Sequence, residues 1–482
     1  VAGDGVPITI AGAAFARGLG VHAASSASVV LGGSCSQFGA VLGVDDTVGR
    51  NGTVVFTVLG DGLPLYTSPV VSGGDAGVPV IVDVAGVTTL TLQVGDSGDN
   101  TYWDHAVWAD ARLACNGTTL GEPTDPTTEP PFSLDSTIAT GSRTHSVTTA
   151  DLDGDGVLDV VAAVPGLDAI AVAVADGPGQ FPVVTHLSTG PGTFPKYAAA
   201  ADVDGDGVVD IVSANQDSLD GIDVTVFLGN GDGTFAEGAA YEACERPHEV
   251  EVADLDGDGI VDIAVACWGG DDVGILRGLG DGTFSAVELL AAGNAAHSLV
   301  SADLNGDGLS DLAVAAYGSN RVMVLLNDGA GSFQPPVEYW SGLGPHNIQL
   351  ADFDSDGHAD LLVTAENANA VGLLRGQADG TFAETVFFDV GPGPKASAVA
   401  DLNGDGLLDI VTANTHGNYP DGSEPTSLSV LFATGPTSFG AAVAIPAQLT
   451  PFAITVADLF GAGAPTLLAA NWHSGDVTVF RP

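Results

Sequence analysis

The chain has 482 residues, of which 61 are acidic and 11 are basic, so its formal net charge at pH 7 is −50. Such an anionic chain repels phosphate backbones and acidic lipid head groups, which excludes nucleic acid and anionic membranes as favoured partners. No window approaches the roughly 20 consecutive apolar residues that a membrane-spanning helix needs. The chain begins at Val1 and its one methionine is Met323, so we expect a processed protein that is secreted or displayed at the cell surface.

Residues 1–115 alternate apolar and polar side chains in stretches such as GTVVFTVLGDG (52–62) and VTTLTLQVG (87–95). This period of two is typical of β-strands with one buried face. We therefore predict an all-β N-terminal domain over residues 1–115.

Four stretches of this region closely resemble the NPCBM family of carbohydrate-binding modules: GLGVHA (18–23), FGAVLGVDDTVG (38–49), GTVVFTVLGDG (52–62) and DHAVWADARL (104–113). The resemblance implies a jelly-roll-like β-sandwich, attached in its relatives to secreted glycoside hydrolases, that binds a terminal, galactose-like sugar. Its sugar-binding candidates lie in one polar, glycine-rich loop, where rings can stack on a sugar and polar groups can bond its hydroxyls: Asp96, Asp99, Asn100, Tyr102 and Trp103.

Four other polar or aromatic residues of this domain are less suited to a sugar site. We interpret His105 and Trp108 as core supports more readily than as ligands, and Asp45 and Asp46 as residues that hold a loop.

Residues 116–130 are rich in Pro and Thr and nearly free of large apolar side chains, which predicts an extended linker. Asn51 and Asn116 each begin an Asn-Gly-Thr sequon, so a glycoprotein is expected where the host has the machinery.

Six nine-residue acidic segments dominate the remainder of the chain, and we call them the aspartate loops. They follow the pattern Asp-x-Asp/Asn-x-Asp-Gly-x-x-Asp and begin at Asp151, Asp202, Asp254, Asp303, Asp352 and Asp401. Oxygen ligands at positions 1, 3, 5, 7 and 9, with glycine at position 6, are what a hard cation requires, and the absence of Cys and His side-chain ligands favours Ca²⁺ over zinc or copper. We therefore predict about six Ca²⁺ ions, one per loop.

The predicted ligands are the side chains of positions 1, 3, 5 and 9 and the backbone carbonyl of position 7. In chain order they are Asp151, Asp153, Asp155, Val157, Asp159; Asp202, Asp204, Asp206, Val208, Asp210; Asp254, Asp256, Asp258, Ile260, Asp262; Asp303, Asn305, Asp307, Leu309, Asp311; Asp352, Asp354, Asp356, His358, Asp360; and Asp401, Asn403, Asp405, Leu407, Asp409. The alternative, solvated acidic turns without metal, places three or four carboxylates side by side with nothing to offset their repulsion.

The loops recur every 49 to 52 residues, a period typical of propeller blades. Each unit contains an apolar strand before the loop, a β-branched strand after it, a third strand, a GDGTF-type turn and a fourth strand. A seventh copy, DLFGAGAPT, starts at Asp458 but lacks the other acids, so we predict no metal there. Four strands in seven units predict a seven-bladed β-propeller with Ca²⁺-binding hairpin loops.

The ADxDGDGxxD cores resemble the FG-GAP/VCBS repeat family of integrin-like propellers, over roughly residues 131–482. The resemblance implies Ca²⁺ in the hairpins between the first and second strands. It does not imply one activity, because adhesins, lectins and some polysaccharide-cleaving enzymes share the repeat.

The chain ends on a third strand, DVTVFRP, whereas residues 131–141 read as a fourth strand without predecessors. We predict that 131–141 completes the last blade, which removes two open sheet edges.

Four cysteines are consistent with an oxidising compartment. Cys244 and Cys267 lie almost equally far on either side of the third aspartate loop, so we predict a disulfide between them and a second between Cys35 and Cys115. The alternative is four free, buried thiols.

A second set of residues recurs six positions before each first aspartate: His145, Lys196, His248, His297, His346, Lys395 and Phe452. We call it the axial cluster, because the innermost strands of a propeller surround its axis. It contains both lysines of the chain, so we predict an electropositive funnel that holds an anionic group, with Trp268, Trp472 and His473 among its outer ligand-binding residues. Packing of the histidines against neighbouring blades is an equally weighted alternative, and a metal at the histidines is a weaker one.

Three functions fit this sequence. The favoured one is a secreted, non-catalytic protein for glycan binding or cell adhesion, with glycans or polysaccharide as partners. The second is a polysaccharide lyase or hydrolase that uses the funnel, although no nucleophile elbow, HExxH motif or separate carboxylate pair is present, so no catalytic residue is assigned. The third is a structural subunit that self-associates into a surface layer or fibre.

Overall fold

The computed structural model describes residues 8–10, 13–15, 18–22, 25–33, 35–44, 53–72, 78–96, 105–115, 131–217, 221–329, 331–415, 427–447 and 450–482. Within these ranges the chain is all-β, as predicted, with two short 3-10 turns at Pro165–Leu167 and Glu366–Ala368. No helix in the described residues has the length and apolarity that crossing a membrane requires. The chain divides into two compact units, Val1–Pro131 and Phe132–Pro482, which we call the front unit and the ring unit.

The front unit contains eleven described strands. They are β1 (Ile8–Ile10), β2 (Ala13–Phe15), β3 (Gly18–His22), β4 (Ser25–Val30), β5 (Cys35–Val44), β6 (Thr53–Gly60), β7 (Leu63–Thr67), β8 (Val71–Ser72), β9 (Val78–Asp83), β10 (Thr89–Asp96) and β11 (His105–Cys115). One sheet has the order β4-β10-β6-β7 with β8 on β6, another has the order β3-β11-β5-β9, and β1 pairs with β2.

The two larger sheets of the front unit share one hydrophobic core. Strand β6 alternates half-buried and buried residues along its whole length, as a sheet with one inward face requires. Trp108 on β11 is 1% exposed and packs edge-on against Phe56 of the other sheet, with ring centroids 4.9 Å apart. Trp108 is therefore a core residue, and the pair of sheets forms a β-sandwich.

The ring unit begins with β12 (Ser133–Ala139) and continues through seven repeats. The strands of its first four sheets are β13 (Ser146–Ala150), β14 (Asp159–Val164), β15 (Ala169–Val174), β16 (Val183–Ser188); β17 (Pro195–Ala201), β18 (Asp210–Asn215), β19 (Val224–Phe227), β20 (Ala239–Tyr241); β21 (Pro247–Ala253), β22 (Asp262–Cys267), β23 (Asp272–Leu276), β24 (Glu288–Ala291); and β25 (Ala296–Ala302), β26 (Asp311–Ala316), β27 (Arg321–Leu325), with the hairpin β28 (Asn327–Gly329) and β29 (Ser332–Phe333), then β30 (Val337–Trp340).

The remaining strands are β31 (Pro345–Ala351), β32 (Asp360–Ala365), β33 (Ala370–Leu374), β34 (Val386–Asp389); β35 (Pro394–Ala400), β36 (Asp409–Asn414), β37 (Ser427–Leu431), with the hairpin β38 (Ala433–Gly435) and β39 (Ser438–Phe439), then β40 (Val443–Pro446); and β41 (Pro451–Ala457), β42 (Thr466–Asn471), β43 (Asp476–Arg481). Each of the first six repeats forms one antiparallel four-stranded sheet, and the three strands of the seventh repeat form another with β12; the sheets are numbered 1 to 7 in chain order.

The seven sheets contact one another in cyclic order. The first strand of each sheet contacts the first strand of the next, and β41 of sheet 7 contacts β13 of sheet 1. Each neighbouring pair, including sheets 7 and 1, shares a hydrophobic cluster. This cyclic order is the arrangement that the repeat predicts for a seven-bladed propeller.

The second strand of each sheet is fully buried because neighbouring sheets cover both of its faces. All six residues of β14, β18, β22, β26, β32, β36 and β42 are buried. Continuous apolar, often β-branched sequence, such as DVVAAV in β14, fits a strand without a polar face.

Turns of one sheet also pack against the aspartate loop of the preceding sheet. A Cβ atom at Gly282, where φ is +75°, would lie 3.3 Å from the Cβ atom of Asp204 in the loop before it. The amide of Gly233 donates to the carbonyl of Leu152 at 3.3 Å in the same way. The loops are therefore part of the packing between neighbouring sheets.

Sheet 7 draws its outer strand from the start of the unit. Strand β12 pairs with β43 in antiparallel register, from Ser133 opposite Arg481 to Ala139 opposite Asp476. Phe132 is 1% exposed in the core between sheets 6 and 7, and Ile138 is 6% exposed in the core between sheets 7 and 1. The first and last strands thus close the ring in one sheet.

Two disulfide observations concern the predicted pairs. Cys244 and Cys267 form a disulfide that ties the segment before β21 to the end of β22. Cys35 is also disulfide-bonded and lies opposite Cys115 in the pairing of β5 with β11.

The pairing of β12 predicts different effects for two substitutions on the same strand. Ile138→Ala should lower the free energy of unfolding of the ring by about 2–4 kcal/mol, because it leaves a cavity between sheets 7 and 1. Leu134→Ala, at a side chain that is 53% exposed, should change it by about 0.5 kcal/mol or less. Urea unfolding measures both, and equal effects would contradict closure through β12.

Candidate functional site

Each aspartate loop joins the first strand of a sheet to its second strand, and its side chains organise its own backbone. In the first loop, the carboxylate of Asp151 accepts hydrogen bonds from the amides of Gly154 at 2.8 Å and Gly156 at 2.9 Å. In the fifth loop Ser355 replaces the first of these glycines and adopts the same left-handed conformation, with φ at 58°. The left-handed conformation at position 4 of the loop is therefore kept even where the residue is not glycine.

In every intact loop the backbone amide of the residue at position 7 donates a hydrogen bond within the loop. The amides of Val157, Val208, Ile260, Leu309, His358 and Leu407 each donate to the carboxylate at position 5 of the same loop. Their role in the predicted site is limited to the carbonyl oxygen, as position 7 of a Ca²⁺ loop requires.

The closing aspartate at position 9 is the first residue of the second strand and is buried. Asp159 accepts hydrogen bonds from the amides of Leu152 at 2.8 Å and Ala175 at 2.7 Å, and so fixes the loop to the end of the third strand. Burial raises the pKa of five closing carboxyl groups, and neighbouring loop carboxylates raise it further; these are Asp159, Asp210, Asp311, Asp360 and Asp409, the last to about 6. In the third loop Arg277 donates to Asp262 at 2.8 Å, and the side chain of Arg277 is 14% exposed.

Carboxylate oxygens converge in four of the loops. Three ligand oxygens lie within 4.8 Å of one another in the sets Asp151, Asp153, Asp159; Asp202, Asp204, Asp206; Asp254, Asp256, Asp262; and Asp352, Asp354, Asp356. The fourth and sixth loops carry Asn305 and Asn403 at position 3, which supply an amide oxygen in place of a carboxylate. In the fifth loop the buried Oδ1 atom of Asp354 has no hydrogen-bond partner. An all-oxygen set with an unpartnered buried oxygen fits a hard divalent cation.

The seventh loop keeps the backbone geometry without the acids. Asp458 accepts hydrogen bonds from the amides of Ala462 at 3.0 Å and Gly463 at 2.7 Å, as the first aspartates of the intact loops do. Phe460 occupies position 3 and lies under the guanidinium of Arg481, 4.2 Å from the ring centroid. In the seventh loop, a cation–π contact therefore replaces the side-chain oxygen ligand that the other loops carry at position 3.

The axial cluster is brought together on the inner strands of the ring unit. The ring centroids of His248 and His297 are 3.6 Å apart, and those of His297 and His346 are 3.7 Å apart. His145 lies 5.3 Å from His248 and 5.0 Å from Phe452. These five residues and Lys395 line one cavity of about 180 Å³, the axial cavity. Among the described residues, groups of three converging metal-ligand atoms occur in the aspartate loops and not at these histidines.

The histidines are packed as neutral imidazoles. The Nδ1 atom of His145 lies 2.9 Å from the carbonyl oxygen of Lys196, and that of His248 lies 3.0 Å from the carbonyl oxygen of His297. Because a carbonyl only accepts, Nδ1 carries the proton in both rings. Burial lowers the pKa of His145, His248, His297 and His346 well below the usual value, and the nearby lysines lower it further.

The lysines do not make the expected electropositive funnel. Lys395 forms a buried ion pair with Glu366 at 2.5 Å. Lys196 is absent from the cavity lining and lies over the rings of Phe194 at 4.9 Å and Trp472 at 5.0 Å. Burial lowers the pKa of Lys196 to about 8. The structure brings six of the seven residues of the axial cluster to one cavity and leaves Lys196 beside it. The predicted electropositive funnel is not formed there, because the imidazoles are neutral and Lys395 is paired.

The outer residues have mixed roles. Trp268 lies 5.0 Å from the ring of His297, and Trp472 lies 5.7 Å from that of His145, so both border the cluster. His473 instead bonds Thr450 at 2.6 Å.

Sequence reasoning missed several polar residues of the cavity wall, among them Ser146, Glu249 and Asn347. Each of these three directly follows a histidine of the axial cluster, so the adjacent column of the repeat alignment would have found them. The partner of Lys395, Glu366, comes from the neighbouring sheet and has no local signal. Burial raises the pKa of Glu249 well above its usual value.

The sugar-binding candidates Asp99, Asn100, Tyr102 and Trp103 lie outside the described residues, as do Asp45, Asp46 and the sequon residues Asn51 and Asn116. For Asp96 and His105 the structure describes the backbone alone, at the end of β10 and the start of β11.

Comparison with known proteins identifies both parts of the chain. Residues 1–114 match the NPCBM/NEW2 domain. A Renibacterium salmoninarum protein named "Putative endo-alpha-N-acetylgalactosaminidase" is 42% identical over 131 residues, which cover 26% of this chain and 9% of that protein. The chain thus spans less than a tenth of that relative.

Two solved structures are similar to parts of the chain. The CBM51 domain of a Clostridium perfringens GH95 protein, in complex with methyl-galactose, is 32% identical and covers 23% of this chain and 82% of its own, with a TM-score of 0.22. An Agrocybe aegerita lectin that recognises non-reducing terminal N-acetylglucosamine is 23% identical and covers 69% of this chain and 86% of its own, with a TM-score of 0.45.

The ring unit gives the most extensive match. Five overlapping segments match the FG-GAP-like repeat, at 151–213, 202–265, 254–314, 303–363 and 352–412, and together they span more than half of the chain. The protein therefore belongs to the FG-GAP-like repeat family and carries an NPCBM domain at its front.

Proposed function

We propose that this protein is a secreted, non-catalytic glycan-binding protein in which the front unit holds a sugar and Ca²⁺ stiffens the ring unit. The NPCBM match over residues 1–114 carries the proposal for the sugar, and a relative that is similar to part of the chain bears the name of a putative glycosidase. The axial cavity is a second ligand site in the same proposal, because a cavity among buried polar groups is the usual form of one.

The aspartate loops are the proposed Ca²⁺ sites. The oxygens at positions 1, 3, 5 and 9 and the carbonyl at position 7 would hold the ion, which supplies positive charge between carboxylates that otherwise repel one another. The closing aspartates connect each loop to a third strand, and neighbouring turns pack on the loops. Ion binding is therefore expected to stabilise the packing of adjacent sheets as well as each loop.

The seventh loop offers a matched control for Ca²⁺ binding. Asp352→Asn and Asp458→Asn alter first aspartates that make similar backbone hydrogen bonds. In excess chelator the two variants should have similar melting temperatures. In millimolar Ca²⁺, Asp352→Asn should lose part of the Ca²⁺-dependent rise in melting temperature, because ligand at 100 times its Kd stabilises a site by about 2.7 kcal/mol. Asp458→Asn should keep the whole rise. Calorimetry measures the melting temperatures of both variants. If excess chelator does not change the melting temperature of the unmodified protein, the proposal is contradicted.

The sugar site of the front unit is tested on the full chain with a glycan array. Trp103→Ala should weaken binding about tenfold or more, because a sugar face that stacks on an indole loses most of its contact area. Leu63→Ala removes a 70% exposed side chain from β7 and should bind like the unmodified protein. If Trp103→Ala binds glycans like the unmodified protein, the assignment of Trp103 to the sugar site is wrong.

A second candidate function, a polysaccharide-cleaving enzyme, is favoured by one observation. Glu249 lines the axial cavity with a raised pKa and lies beside neutral imidazoles, and a protonated carboxyl near a neutral base can serve acid–base catalysis. Incubation of the full chain with neutral and uronate-containing polysaccharides, followed by size analysis, decides between the two. Depolymerisation that Glu249→Gln abolishes would replace the non-catalytic proposal, and intact polysaccharide is the expected result.

A further inference from the structure

The wall of the axial cavity contains a buried polar atom that the protein does not satisfy. Ser146 is 2% exposed and lines the cavity, and its Oγ atom has no hydrogen-bond partner. A buried polar atom left unpaired costs about 1–3 kcal/mol, so native proteins usually pair such atoms with water or a ligand. Such an atom in the wall of a cavity indicates that the cavity holds water or a ligand.

The cavity also offers fixed hydrogen-bond acceptors. Since Nδ1 of His145 and of His248 donates to a backbone carbonyl, the Nε2 atom of each neutral ring is an acceptor. In the described part of the chain, no hydrogen bond involves either Nε2 atom. A ligand that donates hydrogen bonds, such as a hydroxyl-bearing one, matches these two atoms.

The charge of the wall favours an uncharged ligand. The one cation in the lining, Lys395, is already paired with Glu366. Burial raises the pKa of Glu249, so its carboxyl group brings no positive charge to the same wall. An anionic ligand would therefore find no free positive charge in the lining of the cavity.

The size and the aromatic part of the wall fit one ring-shaped residue. The cavity volume of about 180 Å³ is several times the roughly 10–15 Å³ that one water molecule needs, so the cavity admits a group larger than a single water. The ring of Phe452 lines the cavity and is backed by Trp472 at 5.4 Å, which gives an apolar face for the C–H groups of a sugar.

We propose that the axial cavity binds one uncharged, hydroxyl-rich sugar residue, whose hydroxyls donate to Nε2 of His145 and His248 and pair with Ser146, and whose apolar face covers Phe452. This inference rests on the proposal that the cavity is a second ligand site and names the ligand class of that site. It makes the ring unit a sugar-binding surface separate from the front unit.

The test is an NMR titration of the full chain, labelled with ¹⁵N on its histidine rings, in saturating Ca²⁺. The probes are the methyl glycosides of galactose, glucose and N-acetylglucosamine, with glucuronate, sulfate and Zn²⁺ as comparators. At least one neutral glycoside should shift the Nε2 signals of His145 and His248, which lie outside the front unit. Ser146→Ala should weaken that binding about tenfold, the loss expected for one hydrogen bond of about 1.4 kcal/mol, without lowering the melting temperature.

Matched controls separate ligand contact from general damage. Ser341→Ala removes a hydroxyl that is equally buried and unpartnered but lies outside the cavity lining, and it should bind like the unmodified protein. His248→Phe should abolish binding, whereas His186→Phe removes an exposed histidine that also bonds a backbone carbonyl and should not. If His248→Phe does not fold, the comparison of Ser146→Ala with Ser341→Ala still decides.

Four results would overturn the inference: shifts with glucuronate or sulfate but with no neutral glycoside, shifts with Zn²⁺ alone, no shift with any probe, or equal losses in Ser146→Ala and Ser341→Ala. A failure here together with intact Trp103-dependent glycan binding would remove the axial site and leave the front-unit proposal standing. Loss of Trp103-dependent binding with intact histidine shifts would do the reverse.

Discussion

Mutual repulsion among carboxylates is the constraint on which the ring unit depends. Three acidic oxygens lie within 4.8 Å of one another in four of the loops, and the closing aspartates are buried at the start of the second strands. Like charges at this distance raise one another's pKa and oppose folding unless a cation or protons offset them. The seventh loop shows the alternative, since it has exchanged the acids for a contact between Phe460 and Arg481.

The loops matter beyond their own hairpins because of where they are attached. Each closing aspartate ties its loop to the third strand of the same sheet, and turns of the next sheet pack on the loop from the other side. Closure through β12 and β43 then makes the seven sheets one cyclic structure. The cyclic order places the starts of the first strands together, and this is why four histidines from four repeats meet at one cavity.

The repetitive parts of the fold could be predicted from the sequence. The aspartate loops, the fully buried second strands and the convergence of His145, His248, His297 and His346 all follow from a residue type that recurs at fixed spacing. The charge state of the axial cluster could not be predicted in this way. The partner of Lys395 is Glu366 on the neighbouring sheet, and the tautomers of His145 and His248 depend on carbonyls of adjacent strands. The pair of Lys395 with Glu366 does not recur from repeat to repeat, so no period in the sequence marks it.

The central claim, that cations stabilise the acidic loops, is tested most directly by counting bound ions. Native mass spectrometry of the full chain at rising Ca²⁺ should show a folded protein that takes up about six ions and releases them to chelator with a shift towards unfolded charge states. A compact, fully folded chain that binds no Ca²⁺ at millimolar concentration would contradict the account.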